Sequence, residues 1–187
     1  MEGPAAGSGH RVLRIAGLLL VGTGALLAGF GALSAWVEVG LVGSSVDVIT
    51  PEELGVDRPE GIVVLALAVV AIVAALMTRS GADAARDRAA VVATVAGIAI
   101  VLACMLMVTL GTRRFETATI DRIKALPEAT RPPEELIDGI AELTEARFRG
   151  GVWLSLGGGI VVVVGGVTTG AWARRIRPAR AEQPVRP

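Results

Sequence analysis

Hydrophobic and polar positions do not alternate along this chain; they segregate into blocks. Uninterrupted apolar runs extend over residues 15–37, 61–77, 89–111 and 152–173, and none of them holds an Asp, Glu, Lys or Arg. At about 1.5 Å of rise per residue, the three longer runs cover a hydrocarbon core of roughly 30 Å with room for tilt. The run at 61–77 reaches only about 25 Å by the same rise, and the neutral Thr78 extends it slightly. Backbone groups in lipid must be satisfied within their own segment. These Leu, Val, Ala and Ile stretches are too long and too uniform for barrel strands, so they predict four transmembrane helices.

The blocks between the runs predict the remaining elements. Trp36 to Val42 and Ser45 to Thr50 are alternating or β-branched and flank Gly43-Ser44, which predicts a short hairpin in the first connecting loop, 38–60. Thr50 as N-cap and Pro51 at the first helical position predict one helical turn over Pro51-Glu52-Glu53-Leu54. In the longer loop, 112–151, the pattern predicts helices over Phe115 to Leu126 and Pro133 to Phe148, turning at Pro127, Pro132 and Pro133. Leu136, Ile140 and Leu143 recur at helical spacing and, with Phe148, form an apolar face that needs a cover. The cover is the companion helix, the strands of the first loop, a partner protein, or the membrane interface. Glu134, Glu135, Asp138, Glu142 and Glu145 argue against the last, because interfacial helices carry basic polar faces.

The fold class that results is an all-α membrane protein, a four-helix transmembrane bundle with a small extracytoplasmic cap. It runs from a flexible N-terminus, 1–14, through the membrane domain, 15–173, with a short connection at 78–88, to a basic tail, 174–187.

Composition agrees, with 52% hydrophobic and 19% charged residues. The formal net charge of zero hides an asymmetry that sets orientation. With both termini inside, the inner segments hold ten basic and four acidic residues and the outer ones eight and fourteen. Arg79, Arg86 and Arg88 in the short 78–88 loop and Arg174, Arg175 and Arg177 after the last run follow the positive-inside rule; Arg113, Arg114, Arg147 and Arg149 oppose it. Trp36, Trp153 and Trp172 stand at run ends as interfacial anchors. The rival for the first run is a cleaved signal peptide, with Arg11 and Arg14 before it and Ala32-Leu33-Ser34 as the cleavage site; the run is longer than a usual signal core.

Candidate chemistry changes this picture little. The apolar runs hold no ionisable group to mark a transport path, and their Ser and Thr hydroxyls are expected to bond to their own helices. A single histidine, His10, and a single cysteine, Cys104, exclude a His/Cys metal site within one chain. Gly157-Gly158-Gly159 lacks the Lys-Ser/Thr of a phosphate loop, and no nucleophile elbow is present. Neither catalytic residues nor a cofactor nor nucleic-acid binding is expected. Gly24, Ala28 and Ala32, and Gly158, Gly166 and Gly170, are small residues at four-residue spacings or multiples of it, a helix-packing face within the chain or against a membrane-protein partner or second copy.

Ala35-Trp36-Val37 closing the first run, Glu60-Gly61 opening the second, and Gly151-Val152-Trp153-Leu154 leading into Gly157-Gly158-Gly159 and Gly165-Gly166 resemble small actinobacterial four-span membrane proteins. The tryptophan-operon-associated membrane protein family is among them. The single Lys beside abundant Arg, Ala, Val and Gly points the same way, toward a high-GC bacterial genome. The resemblance spans roughly residues 12–175 and implies a plasma-membrane protein with no catalytic residues; the long helical second loop departs from it. The expected function is a non-enzymatic envelope protein acting through protein contacts of its outer loops and small-residue helix faces, with a small-solute or lipid-handling subunit as the alternative.

Overall fold

A computed structural model describes residues 5–41, 53–80, 83–124, 127, 133 and 144–181. Its elements are α1 (Ala5–Leu33), β1 (Ala35–Leu41), β2 (Glu53–Leu54), a 3-10 turn (Gly55–Asp57), α2 (Pro59–Ser80), α3 (Asp83–Lys124), β3 (Thr144–Phe148) and α4 (Gly150–Ala181). Four of the helical segments, Val12–Leu33, Pro59–Thr78, Ala84–Gly111 and Gly150–Ala171, are long and apolar enough to cross a membrane. The chain is a multi-pass membrane protein by that measure.

Several boundaries differ from the sequence reading. Helix α1 already begins at Ala5, inside the segment expected to be flexible, and it ends at Leu33 rather than at 37. Ser34 stops it: its Oγ donates to the Phe30 carbonyl (2.8 Å) and its N–H to the Gly31 carbonyl (3.1 Å), satisfying carbonyls a helix end leaves orphaned. Ala35-Trp36-Val37 then enters β1. The short second run gains length at its start, where Pro59 takes the first helical position and Glu60 favours the helix dipole.

The separate helix expected over Phe115 to Leu126 is the continuation of α3, which runs 42 residues without a break. Gly111 costs an uninterrupted helix only about 1 kcal/mol, and no proline intervenes before Pro127. The helix expected over Pro133 to Phe148 ends differently, because Thr144–Phe148 is the strand β3. Leu136, Ile140 and Leu143 lie outside the described residues, as does the Gly43-Ser44 turn. The helical turn expected over Pro51 to Leu54 is overturned at its end: Glu53–Leu54 pairs as β2.

Helix α1 packs against α2 and α4, and α3 against α2 and α4, so each helix has two helical neighbours. The buried centre is built from small residues, among them Ala25, Ala28, Ala71, Ala93 and Ala96, with Ile100, Val64, Val152 and Val162 fully buried beside them. Outward-facing Leu, Val, Ile and Phe side chains are exposed around the helices, as a lipid-solvated surface requires. At one end of the helices sits a three-stranded antiparallel sheet of order β2-β1-β3.

Candidate interaction site at the sheet end of the helices

Trp36 is where helices and sheet are joined. The indole is 1% exposed, and its Nε1 donates to the Gly31 carbonyl at 2.7 Å, the same oxygen that Ser34 bonds. The expected interfacial anchor is therefore an interior residue. A tryptophan can be buried only where its N–H finds an acceptor and its ring finds space, and both come from glycine backbone. A Cβ on Gly55 would sit 2.5 Å from Trp36 Nε1, and one on Gly151 would sit 2.8 Å from Trp36 Cδ1. Gly55 in turn donates its N–H to the Ser34 carbonyl at 3.0 Å, and a Cβ on Gly61 would collide with the Gly55 carbonyl. Residues from α1, the 3-10 turn and α4 thus close around one ring, and Gly61 of α2 backs the turn.

The sheet extends outward from this ring. Arg149 donates its backbone N–H to the Trp36 carbonyl at 2.9 Å, fixing the start of the β1–β3 ladder. From there Val37 pairs with Phe148, Glu38 with Arg147, Val39 with Ala146, Gly40 with Glu145 and Leu41 with Thr144. Val37 is buried, and Phe148 is half-buried and packs on the helical core. Phe148, expected on an apolar helix face that needs a cover, lies on a strand beside β1 and is half covered by the helical core. β1 has a strand on both sides, whereas β2 and β3 each pair with β1 alone among the described strands and are the outer strands; β3 also touches α3. The two-residue β2 is held by Leu54, whose N–H donates to Asp57 Oδ2 at 3.0 Å.

The small-residue positions are consumed by packing inside the chain. Gly17, Val21, Gly24, Ala28 and Gly31 on α1 face Thr169, Gly165, Val162, Gly158, Ser155 and Gly151 on α4. A Cβ on Gly24 would lie 2.7 Å from the Gly158 carbonyl, and one on Gly158 2.5 Å from the Ala28 nitrogen. The buried Ser155 Oγ donates across this contact to the Ala28 carbonyl at 3.1 Å. On the other side of α4, a Cβ on Gly159 would meet Ile100, one on Gly166 would meet Thr94, and one on Gly170 would make ordinary contact with Ala90. The expected single face through Gly158, Gly166 and Gly170 is thus two faces. Steps of four residues drift about 40° each at roughly 100° per residue, so Gly170 lies about 120° round from Gly158. Ala32 is likewise rotated off the α4 contact, and its carbonyl backs onto Gly55.

Other hydroxyls of the spans bond locally. Thr94, Thr109, Thr168 and Thr169 donate to carbonyls of their own helix three or four residues back. Cys104 is a buried free thiol. Trp153 is half exposed in the first turn of α4, and Trp172 lies further along α4. No group of three potential metal ligands occurs among the described residues. The sequence reading missed Gly17, Gly31, Gly55 and Gly151; the repeat of seven through Gly17, Gly24 and Gly31 was the signal for the first two. What the arrangement offers is a sheet anchored to the helices through Trp36, with β2 and β3 as its outer strands among the described residues.

No family model matches the chain, and no curated protein or solved structure is significantly similar to it.

Proposed function

We propose that this chain is a non-enzymatic membrane protein of the bacterial envelope that acts through protein contacts made by its outer loops. The observation that carries this reading is the outer strand β3, joined through β1 and Trp36 to the helices. An outer strand is a general template for pairing with a partner segment, and a rigid mount lowers the cost of binding. The helix faces of Gly24 and Gly158 are taken up inside the chain, which directs partner contacts to the sheet end and away from these small-residue faces.

In this reading the sheet lies outside and both termini are cytoplasmic, as the arginine distribution favours. The resemblance to small actinobacterial four-span proteins, through Ala35-Trp36-Val37, Glu60-Gly61 and Gly151-Val152-Trp153-Leu154, supplies the plasma-membrane setting. Packing of α1 along the full α4 seam supports retention of the first span.

A photo-crosslinking residue at position 145, in native membranes, should yield a discrete adduct to a second protein or a second copy. Absence of adducts from every position of β3 and of the first loop would sink the proposal. A lipid-handling subunit is the second reading, favoured by two apolar troughs beside α2.

A further inference from the structure

The side of the helices remote from the sheet carries a trough between α2 and α3 of about 590 Å³, within the range of small-molecule sites. Val69, Val73 and Met77 form one wall, and Ala84, Ala85 and Val92 the other. The alanines create it: small side chains opposite Met77 leave the helix surfaces apart where larger ones would fill the gap. Arg88 lies on the same face of α3 as Ala85, Ala89 and Val92, lines the trough and is exposed.

The trough's length selects its occupant. On α2 the trough follows the apolar run from Val69 to Met77, about 12 Å of helix axis and close to one leaflet of a hydrocarbon core roughly 30 Å thick, while on α3 it passes from Val92 in the apolar run to Arg88 and Ala84 beyond it. A transmembrane helix of a partner would need a groove crossing both leaflets. A single acyl chain needs one leaflet and a headgroup site at its end, and a long arginine side chain reaches that level readily. Asp87 is adjacent in sequence but about 100° round the helix. A second trough of about 520 Å³, between α1 and α2, repeats the design at the same end. It runs past Gly22 to Arg14, whose Nη2 donates to the Thr78 carbonyl at 3.2 Å.

We propose that the α2–α3 trough binds one acyl chain of an anionic phospholipid, with the phosphate at the Arg88 guanidinium. The site goes beyond the protein-contact reading and is independent of it. Basic pockets between transmembrane helices are a general solution for anionic headgroups.

Native mass spectrometry of the full chain, after incubation with equal phosphatidylglycerol and phosphatidylcholine, tests it. All samples carry Gly22→Leu, which fills the α1–α2 trough at a position where a Cβ meets nothing within 4 Å. The parent should retain the anionic lipid in preference. Arg88→Gln should lower that preference about fivefold, the worth of one basic residue near a membrane surface. Ala84→Leu, filling the trough, should lower retention of both lipids. Gly157→Leu, at another open position, should change neither. Equal retention of the two lipids by the parent, or an Ala84→Leu variant that retains as much as the parent, would overturn the proposal and leave ordinary annular lipid.

Discussion

Gly158 and its neighbour Gly157 show how sharply the position of one residue on a helix decides its role. A methyl group on Gly158 would sit 2.5 Å from the Ala28 nitrogen and 2.6 Å from the Gly24 carbonyl, both rigid backbone atoms. The helices must separate to admit it. Overpacking of this kind costs about 1–3 kcal/mol. On Gly157 the same methyl meets nothing, and replacing a helical glycine by alanine gains roughly 0.5–1 kcal/mol. Thermal unfolding in detergent should therefore rank Gly157→Ala at or above the native chain and Gly158→Ala well below it. Trp36 and Trp153 form a second such pair. Trp36→Phe forfeits the hydrogen bond to Gly31, worth about 0.5–1.5 kcal/mol net, and leaves space inside the glycine cage. Trp153 is 53% exposed, so Trp153→Phe should cost much less in the same assay.

Strand β1 carries the element-scale argument. Because Arg149 donates to the Trp36 carbonyl, those two form a hydrogen-bonded pair, and alternation makes Val39 and Ala146 a non-hydrogen-bonded pair. Their Cα atoms are then about 4.5 Å apart, within reach of a disulfide. In a Cys104→Ala background, Val39→Cys with Ala146→Cys should crosslink on mild oxidation, visible as a mobility shift that reductant reverses. Failure of this pair alongside formation by Val39→Cys with Glu145→Cys would shift the register. The spans were legible in the sequence because the absence of charge over about twenty residues is a local property. Strand β1 was legible too, from its β-branched alternation. Its pairing with β3 was not, since those residues are more than a hundred positions apart and nothing local in Thr144–Phe148 marks a strand: Glu, Ala and Arg suit a helix as well. Trp36 was misread for the same reason. A tryptophan at the end of an apolar run has the same sequence context whether it faces lipid or is enclosed by glycines from distant elements.

At the scale of the whole molecule, an even number of crossings puts both ends of the membrane domain on one side, and the sheet with the α3 extension on the other. Which side is which depends on opposing arginines. Arg113, Arg114, Arg147 and Arg149 flank the spans at the sheet end, while Arg79, Arg86 and Arg88 crowd the short connection between α2 and α3 and Arg174, Arg175 and Arg177 follow the last span. The short connection should prevail, since basic residues close to span ends in short loops exert the strongest hold on the inner side. The continuous α3 adds to this, because Arg113 and Arg114 lie on an unbroken helix that runs on past the apolar run, and not in a short loop. Single cysteines introduced at position 38 in β1 and at position 83 before α3, again with Cys104 replaced, make the orientation measurable. A membrane-impermeant maleimide applied to intact cells should label position 38 directly and position 83 only after permeabilisation. The reverse pattern would place the sheet inside and both termini outside, and would require protein contacts of β3 to be sought in the cytoplasm.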